Sequence, residues 1–238
     1  MFKTLILMEQ FEPGFLGVFI NPFYLTRKAL LKNIKLLSSE ITGKTLDVGC
    51  GTKPYEKYFN STEYIGLEVE NTINIEEKKV DVFYKGDKIP FADKEFDSVF
   101  SSQVLEHVFN SHQFLSEINR VKKPKAKLLL TVPFIWDEHE QPFDYGRYSS
   151  FGLKDLLEKN GFKIINHLES LNNIAVVFQM FNVYIYKISV KRKIIRQILT
   201  LFVMAPVNVI AIIFSKILPK NDDLFLDNVV LAEKVHDV

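Results

Sequence analysis

The sequence predicts an α/β fold in which a mostly parallel sheet is covered by helices on both faces. Three observations predict it. Strand-length apolar runs alternate with segments of helical periodicity from about residue 40 to residue 165. The first strand ends in Asp47-Val48-Gly49-Cys50-Gly51, and the next closes on an acidic residue, Glu68.

Residues 1–21 are apolar and aromatic, with Pro13, Gly14 and Gly17, and read as an irregular lead-in. From Pro22 to Leu37 the apolar positions Leu30, Leu31, Ile34 and Leu37 recur at helical spacing, and Pro22 suits a first turn. Thr45–Val48 is a short buried strand, with Tyr55–Phe59 as the helix after it. Tyr64–Leu67 is the second strand, Val80–Tyr84 the third and Phe96–Ser101 the fourth. Gln103–Phe109 starts the next helix, and Phe114–Val121 continues as an amphipathic one. Lys127–Val132 is the fifth strand, stopped by Pro133. Leu153–Lys159 is a helix with Gly161 as its C-terminal stop, and Phe162–Ile165 begins a sixth strand. No segment repeats at a fixed period.

At 238 residues and 47% hydrophobic content the chain can bury one sizeable core and is short for two domains. A net charge of +1 names no partner, and a nucleic-acid reader would be more basic, so no nucleic acid is expected. The single cysteine, Cys50, excludes an internal disulfide and a metal–thiolate cluster, which suits a reducing, cytoplasmic setting. The apolar stretch Met1–Met8 is too short, and lacks the small-residue cleavage site, for a signal peptide.

A strand ending in Asp-x-Gly-x-Gly lets the backbone turn sharply and approach a ligand with no side chain in the way. In open parallel sheets ligands sit beyond the carboxyl ends of the strands, and an acidic residue about twenty positions on accepts hydrogen bonds from a ribose diol. Glu68 occupies that position. Taken alone, the turn is equally a tight strand-to-helix connection. The dinucleotide fingerprint requires a third glycine against the pyrophosphate, where this chain has Thr52-Lys53-Pro54-Tyr55. That departure, with Asp47 ahead of the first glycine, points to a ligand without pyrophosphate.

Thr45-Leu46-Asp47-Val48-Gly49-Cys50-Gly51-Thr52 resembles the first motif of class I S-adenosylmethionine-dependent methyltransferases. Tyr64–Glu68 is similar to their second-strand motif, Ile89–Val99 to the approach to strand four, Gln103–Val108 to the segment after it and Leu128–Pro133 to strand five. The resemblance implies a Rossmann-like sheet of about seven strands and S-adenosyl-L-methionine as cofactor. It implies that Asp47, Gly49, Cys50 and Gly51 form the turn flanking the methionine part and that Glu68 holds the ribose hydroxyls. Asp87 would lie near the adenine, or else is an exposed turn carboxylate. Ser102 and Gln103 would border the sulfonium.

Two histidines are candidates for the chemistry. His107 follows Glu106 just after strand four. His139 lies in Glu138-His139-Glu140-Gln141-Pro142-Phe143-Asp144-Tyr145-Gly146-Arg147-Tyr148, a loop dense in polar and aromatic groups that resembles a loop found in a subset of these enzymes. The expectation is an acceptor pocket lined by Asp144, Tyr145, Arg147 and Tyr148, with His139 as base or orienter and Arg147 as an anion contact. Against these stand structural roles: His107 satisfying local hydrogen bonds, and Arg147 in an ion pair with Asp144 or Glu140. Adjacent residues seldom converge on one ion, so Glu138, His139, Glu140 and Asp144 are not expected to hold a metal. His112, His167 and His236 carry no motif and read as surface or packing residues, and Cys50 as a small buried side chain.

A long apolar insertion precedes the last strand, expected at Asn228–Ala232. From Ser170 through Lys220 there is no acidic residue; Lys187, Lys191, Arg192, Lys193 and Arg196 separate two apolar stretches. Three readings compete: a helical lid or dimer surface, an interfacial element apolar on one side and basic toward anionic headgroups, and a transmembrane span at Ile198–Ser215. Pro206 and Asn208, and the chain's return to the sheet, count against the span. The apolar N-terminal residues are expected to pack with the same element.

These readings combine into one methyltransferase domain: lead-in 1–40, cofactor core 41–169, helical insertion 170–222, last strand and tail 223–238. The acceptor is a small molecule, a saccharide or a lipid-linked compound, with peripheral membrane contact through residues 170–220 on the inner face. The rivals are a non-catalytic scaffold of the same fold, disfavoured by the intact turn and Glu68, and a nucleotide-dependent oxidoreductase, disfavoured by the missing third glycine.

Overall fold

The computed structural model describes residues 8–70 and 78–238. The chain divides into two compact units: one of residues up to 33, 135–137 and 169–227, the other of residues 34–134, 138–168 and 228–238.

The larger unit is built on seven strands: β1 (Thr42–Val48), β2 (Asn60–Val69), β3 (Val82–Tyr84), β4 (Phe96–Ser102), β5 (Lys122–Pro133), β6 (Phe162–Ser170) and β7 (Asp227–Lys234). Their order is β3-β2-β1-β4-β5-β7-β6, and β3/β2, β2/β1, β1/β4 and β4/β5 pair in parallel. The order reverses between β1 and β4. Loops leaving those two strands therefore diverge to opposite sides and open a crevice at their carboxyl ends. Leu46, Val48, Leu67, Val99, Leu128 and Leu130 are fully buried in the core, where Leu115, Ile118, Leu153 and Leu157 join them. Near-continuous apolar strands are what a sheet covered on both faces requires.

Several elements differ from expectation. Tyr55–Phe59 holds only the single 3-10 turn Glu56–Tyr58. β2 begins at Asn60, paired with Thr42, and leaves no room for a full helix. After β4 the chain makes another such turn, Leu105–His107, before the α-helix Ser111–Val121, which Asn110 caps by accepting from Gln113 N. The helix Ser150–Lys159 starts earlier than its apolar pattern, because Ser149 accepts from Gly152 N as N-cap. Gly161, at φ 78°, follows its end. β6 and β7 both exceed the expected spans. His112 is exposed and His167 half-buried, and their ring nitrogens meet Asn160 and Asn228.

In chain order the helices are α1 (Gly17–Ile20), α2 (Tyr24–Leu37, whose last turn belongs to the larger unit), α3 (Ser111–Val121), α4 (Ser150–Lys159), α5 (Ala175–Ser189), α6 (Lys193–Leu199) and α7 (Ala205–Ile217). Of these, α1, α5, α6, α7 and most of α2 belong to the smaller unit. The lead-in is thus partly helical; residues 1–7 lie outside the described residues. Leu25, Ala175 and Ala211 form the smaller unit's core, with Phe178 and Ile212 around them. A wide π-type segment, Thr200–Met204, joins α6 to α7. Pro206 lacks an amide donor and its ring crowds the carbonyl four residues back, and the wider turn accommodates both.

The polar residues of the insertion tie it to the N-terminal segment. Asn208 is 1% exposed, donates to Val18 O at 2.9 Å and accepts from Asn182 Nδ2 at 2.9 Å. Gln179 accepts from Thr26 N and donates to Pro22 O. Each of these hydrogen bonds offsets the cost of burying an amide. The helical stretch Lys193–Ile217 is long and apolar enough to cross a membrane, and 28% of its apolar window is buried.

Candidate active site

The site is assembled in the larger unit at the carboxyl ends of β1, β2 and β4. Gly49 and Cys50 both donate to Leu67 O, which folds the chain back onto the end of β2. Gly49 has φ 76° and Gly51 φ 50°, the left-handed region that disfavours side chains. The two glycines differ in surroundings. A Cβ at Gly49 would collide with Val104 Cγ2, whereas one at Gly51 meets nothing within 4 Å among the described residues. Gly49 is therefore needed for packing, and Gly51 leaves bare backbone facing open space.

Asp47 is buried, and Tyr64 Oη donates to its Oδ2 at 2.7 Å. Burial pushes its carboxyl up to about 7 against the lowering effect of Tyr64 and Lys53. The Cys50 thiol points inward, with Sγ 3.7 Å from Lys79 O, and burial raises it to about 12, so it is neither an exposed contact nor a nucleophile. Glu68 is buried at the end of β2, accepts from Gly51 N at 3.3 Å and Val69 N at 3.2 Å, and pairs with Lys78 Nζ at 2.9 Å. Lys53 reaches across Gly66 to Asp81, which also accepts from Gly66 N at 2.6 Å. A bare turn with a carboxylate held against it fits an adenosine-bearing ligand.

At the end of β4, Ser102 Oγ lies 2.8 Å from Thr131 Oγ1. Gln103, at φ 58°, donates from its backbone to Thr131 O at 2.9 Å and from Nε2 to Thr131 Oγ1 at 3.2 Å. Val104 then packs on Gly49, and the turn Leu105–His107 follows it. Asp87 is exposed; it lies close enough to Tyr84 to help raise that phenol, behind the larger effect of burial.

The 138–148 loop closes on this segment. Tyr145 N and Gly146 N both donate to Glu106 O, and His107 Nδ1 lies 2.7 Å from Phe143 O. A carbonyl only accepts, so Nδ1 carries a proton, and in the neutral ring Nε2 holds the lone pair. The His107 and His139 rings meet edge to face at 4.7 Å. Asp144 accepts from His139 N at 2.9 Å and takes both terminal nitrogens of Arg147, at 2.6 and 2.7 Å. Burial acts to raise this carboxyl, but the Arg147 hydrogen bonds prevail and hold it down at about 2. Arg147 also donates to Gly146 O and lies 3.4 Å from His139 Nδ1. Its fork is committed to the loop, the structural ion pair set beside the anion contact in the sequence. Tyr148 packs against the core, with its phenol bonded to Ser111, while Tyr145 is exposed and meets Phe109 edge to face.

The structure thus brings together Asp47, Gly49, Gly51 and Glu68 at the turn, Ser102 and Gln103 beside Thr131, and His107 and His139 ring to ring. It turns Cys50 inward and leaves Asp87 exposed. Sequence reasoning passed over Glu106, which is fully buried beside both histidines, and Gly66, Lys78, Asp81 and Val104, which shape the turn. Only Glu106 carried a signal: a charged residue beside a histidine directly after a buried strand.

A family profile described as a methyltransferase domain matches residues 46–130. An uncharacterised protein of Methanocaldococcus jannaschii is 29% identical over 64% of this chain and 70% of its own length. The O-methyltransferase rstn1 of Aspergillus nomiae is 27% identical over 54% of this chain and 68% of its own. Phosphoethanolamine N-methyltransferase 2 of Haemonchus contortus superposes with a TM-score of 0.55 at 17% identity, covering 98% of this chain and 57% of that one. The cyclase SpnF gives 0.55 at 17% identity, covering 87% and 80%. These structural likenesses speak for the fold, and SpnF, a [4+2]-cyclase, illustrates that the fold alone does not name a reaction. The methyltransferase profile spans the turn, Glu68 and the Glu106-His107 pair, in the strand order and crevice described above. Residues 46–130 match a methyltransferase domain, and the fold and the site around it fit an S-adenosylmethionine-dependent methyltransferase with S-adenosylmethionine as its cofactor.

Proposed function

We propose that this enzyme methylates a small-molecule, saccharide or lipid-linked acceptor at the inner surface of a membrane. When bound, S-adenosylmethionine supplies a methyl group on a sulfonium, itself a good leaving group, so alignment of the reactants is the protein's main contribution. Glu68 would accept the ribose hydroxyls, exchanging its contact with Lys78. The backbone at Gly49 and Gly51, with Asp47 behind it, would flank the methionine part. Ser102 and Gln103, both anchored on Thr131, would border the reacting centre, and Asp87 would lie toward the adenine. His107 and His139 are the groups available to hold the acceptor or take its proton. Asp144 and Arg147 fix the loop that presents His139, with Tyr145 and Tyr148 alongside.

The observation that carries the membrane reading is the surface of the smaller unit. Ile194, Phe202 and Ile217 are each more than 70% exposed, and Ile198, Leu201, Ile213 and Phe214 are 42–52% exposed. Beside them is an open apolar groove of about 320 Å³ lined by Phe19, Leu201, Ala205, Pro206, Val209 and Ile210. Lys187, Lys191, Arg192, Lys193 and Arg196 flank this surface in a segment with no acid. Single exposed apolar residues are ordinary; so many on adjoining turns beside basic residues support an interfacial element facing anionic headgroups. Flotation with liposomes tests it: the protein is expected to rise with phosphatidylserine vesicles at low salt and to release partly at high salt. Failure to co-migrate at low salt would sink the membrane reading and leave the methyltransferase assignment intact.

A further inference from the structure

We infer that Glu106, His107 and His139 form a binding site for a divalent first-row transition cation at the acceptor end of the active site. Their ligand atoms lie within 4.8 Å of one another. Ligands bound to one cation at about 2.0–2.2 Å stand roughly 3–3.5 Å apart, so a small contraction closes the set. His107 Nε2 is 3.9 Å from Glu106 Oε1 and 4.0 Å from Glu140 Oε2, beyond hydrogen-bond reach of either. Glu140, exposed on the loop, is a natural fourth donor.

Both imidazoles are held in fixed orientations. His107 donates Nδ1–H to Phe143 O, which leaves the Nε2 lone pair facing Glu106. His139 Nδ1 lies 3.3 Å from Asp144 Oδ2 and 3.4 Å from Arg147 Nη2, which fixes the orientation of its ring beside His107. A carbonyl or carboxylate behind each ligating imidazole is the usual outer support of such sites, fixing tautomer and ring orientation. The set is also held in place before any ion arrives. Tyr145 N and Gly146 N grip the Glu106 carbonyl, and Asp144 grips both His139 N and Arg147.

Two imidazoles and a carboxylate select zinc, cobalt, iron or manganese over magnesium or calcium, which prefer all-oxygen cages. A cation here would orient an acceptor through its oxygen atoms and lower the pKa of a coordinated hydroxyl. It would also replace the base role at His107, since a nitrogen that ligates a cation cannot take a proton. The site departs from the sequence expectation of no metal because its ligands come from two segments more than thirty residues apart.

The role at the acceptor rests on the methyl-transfer reading; the cation site itself does not. The test is cobalt(II) titration of untagged, cofactor-free protein, followed by visible absorption, with S-adenosylhomocysteine calorimetry on the same samples. A single saturable site is expected in the wild type. Its affinity should fall at least tenfold in Glu106→Gln and in His139→Gln, while S-adenosylhomocysteine binding is retained. The histidine variant serves if the buried glutamine prevents folding. No saturable cobalt site in the wild type, or equal affinity in a folded variant, overturns the proposal. Loss of S-adenosylhomocysteine binding by the wild type would overturn the functional reading instead, and the cobalt titration decides the cation site in either case.

Discussion

The Val104 side chain rests directly on the backbone of Gly49, while two residues further on Gly51 faces open space. One turn therefore contains a glycine required by packing and a glycine whose surroundings would admit a side chain. Gly49→Ala is expected to destabilise the fold by about 2 kcal/mol or more, combining left-handed strain with overpacking. Gly51→Ala should cost only about 1–2 kcal/mol in stability and weaken S-adenosylhomocysteine binding disproportionately. Thermal melts and calorimetry on the two variants check this; equal melting losses would contradict it.

Glu68→Ala should reduce S-adenosylhomocysteine affinity by about tenfold or more, because hydrogen bonds to a charged group contribute about 1.5–3 kcal/mol. Lys78→Met should raise the affinity, since the ammonium occupies the carboxylate that the ribose would use. Calorimetry reads both, and a Lys78→Met protein that binds more weakly would show that Lys78 assists the cofactor.

Asp47 gives the fold a pH dependence. Burial raises its carboxyl to about 7, above its value of about 3.9 in the unfolded chain. Between those values the folded state holds a proton that the unfolded state has lost, so stability falls as pH rises through the window. Asp47→Asn should match the wild type in melting temperature near pH 4 and exceed it at pH 8. A constant difference across that range would remove Asp47 as the source.

Lys122 acts with the opposite slope. It is fully buried, its ammonium has no hydrogen-bond partner among the described residues, and Nζ lies 4.7 Å above the Phe162 ring. Burial, and then the neighbouring Lys234 and Lys127, hold its pKa well below the usual lysine value. The unfolded chain binds a proton that the folded chain excludes, so this penalty grows as pH falls from about 10.4 toward the folded pKa. Lys122→Met should raise stability by about 1–4 kcal/mol at pH 7 and by much less near pH 10. Denaturant melts at the two pH values measure it.

Asp144 and Arg147 should behave as one unit. Asp144→Asn and Arg147→Ala are each expected to lower the melting temperature and disturb His139, and the double variant should fall short of their sum. The Asp144 carboxyl, held at about 2, contributes stability above its unfolded pKa of about 3.9 that is lost as pH drops toward 2. Additive losses would return Arg147 to the role of a free anion contact.

Much of this protein was legible in its residues because the relevant signals are local. Strand-length apolar runs, the Asp47–Gly51 turn and Glu68 encode backbone conformation within a few positions, and together they indicated the parallel sheet and the cofactor. The element ends were less legible. Tyr55–Phe59 has helical spacing, but the pairing of Asn60 with Thr42 takes that length for β2.

Tertiary structure decided what depended on distant residues. Whether Cys50 faces the ligand was settled by Gly66 and Lys79, and whether Arg147 is free by the reach of Asp144. The meeting of Glu106 and His107 with His139 depends on the 138–148 loop folding back onto the end of β4, an arrangement with no local periodicity to announce it. The insertion shows the same division. Its sequence determined that it is apolar and free of acid, but only the structure buried Asn182 and Asn208 against each other and left the isoleucines and Phe202 outward. A side chain's burial is a property of what packs over it, and that partner comes from elsewhere in the chain.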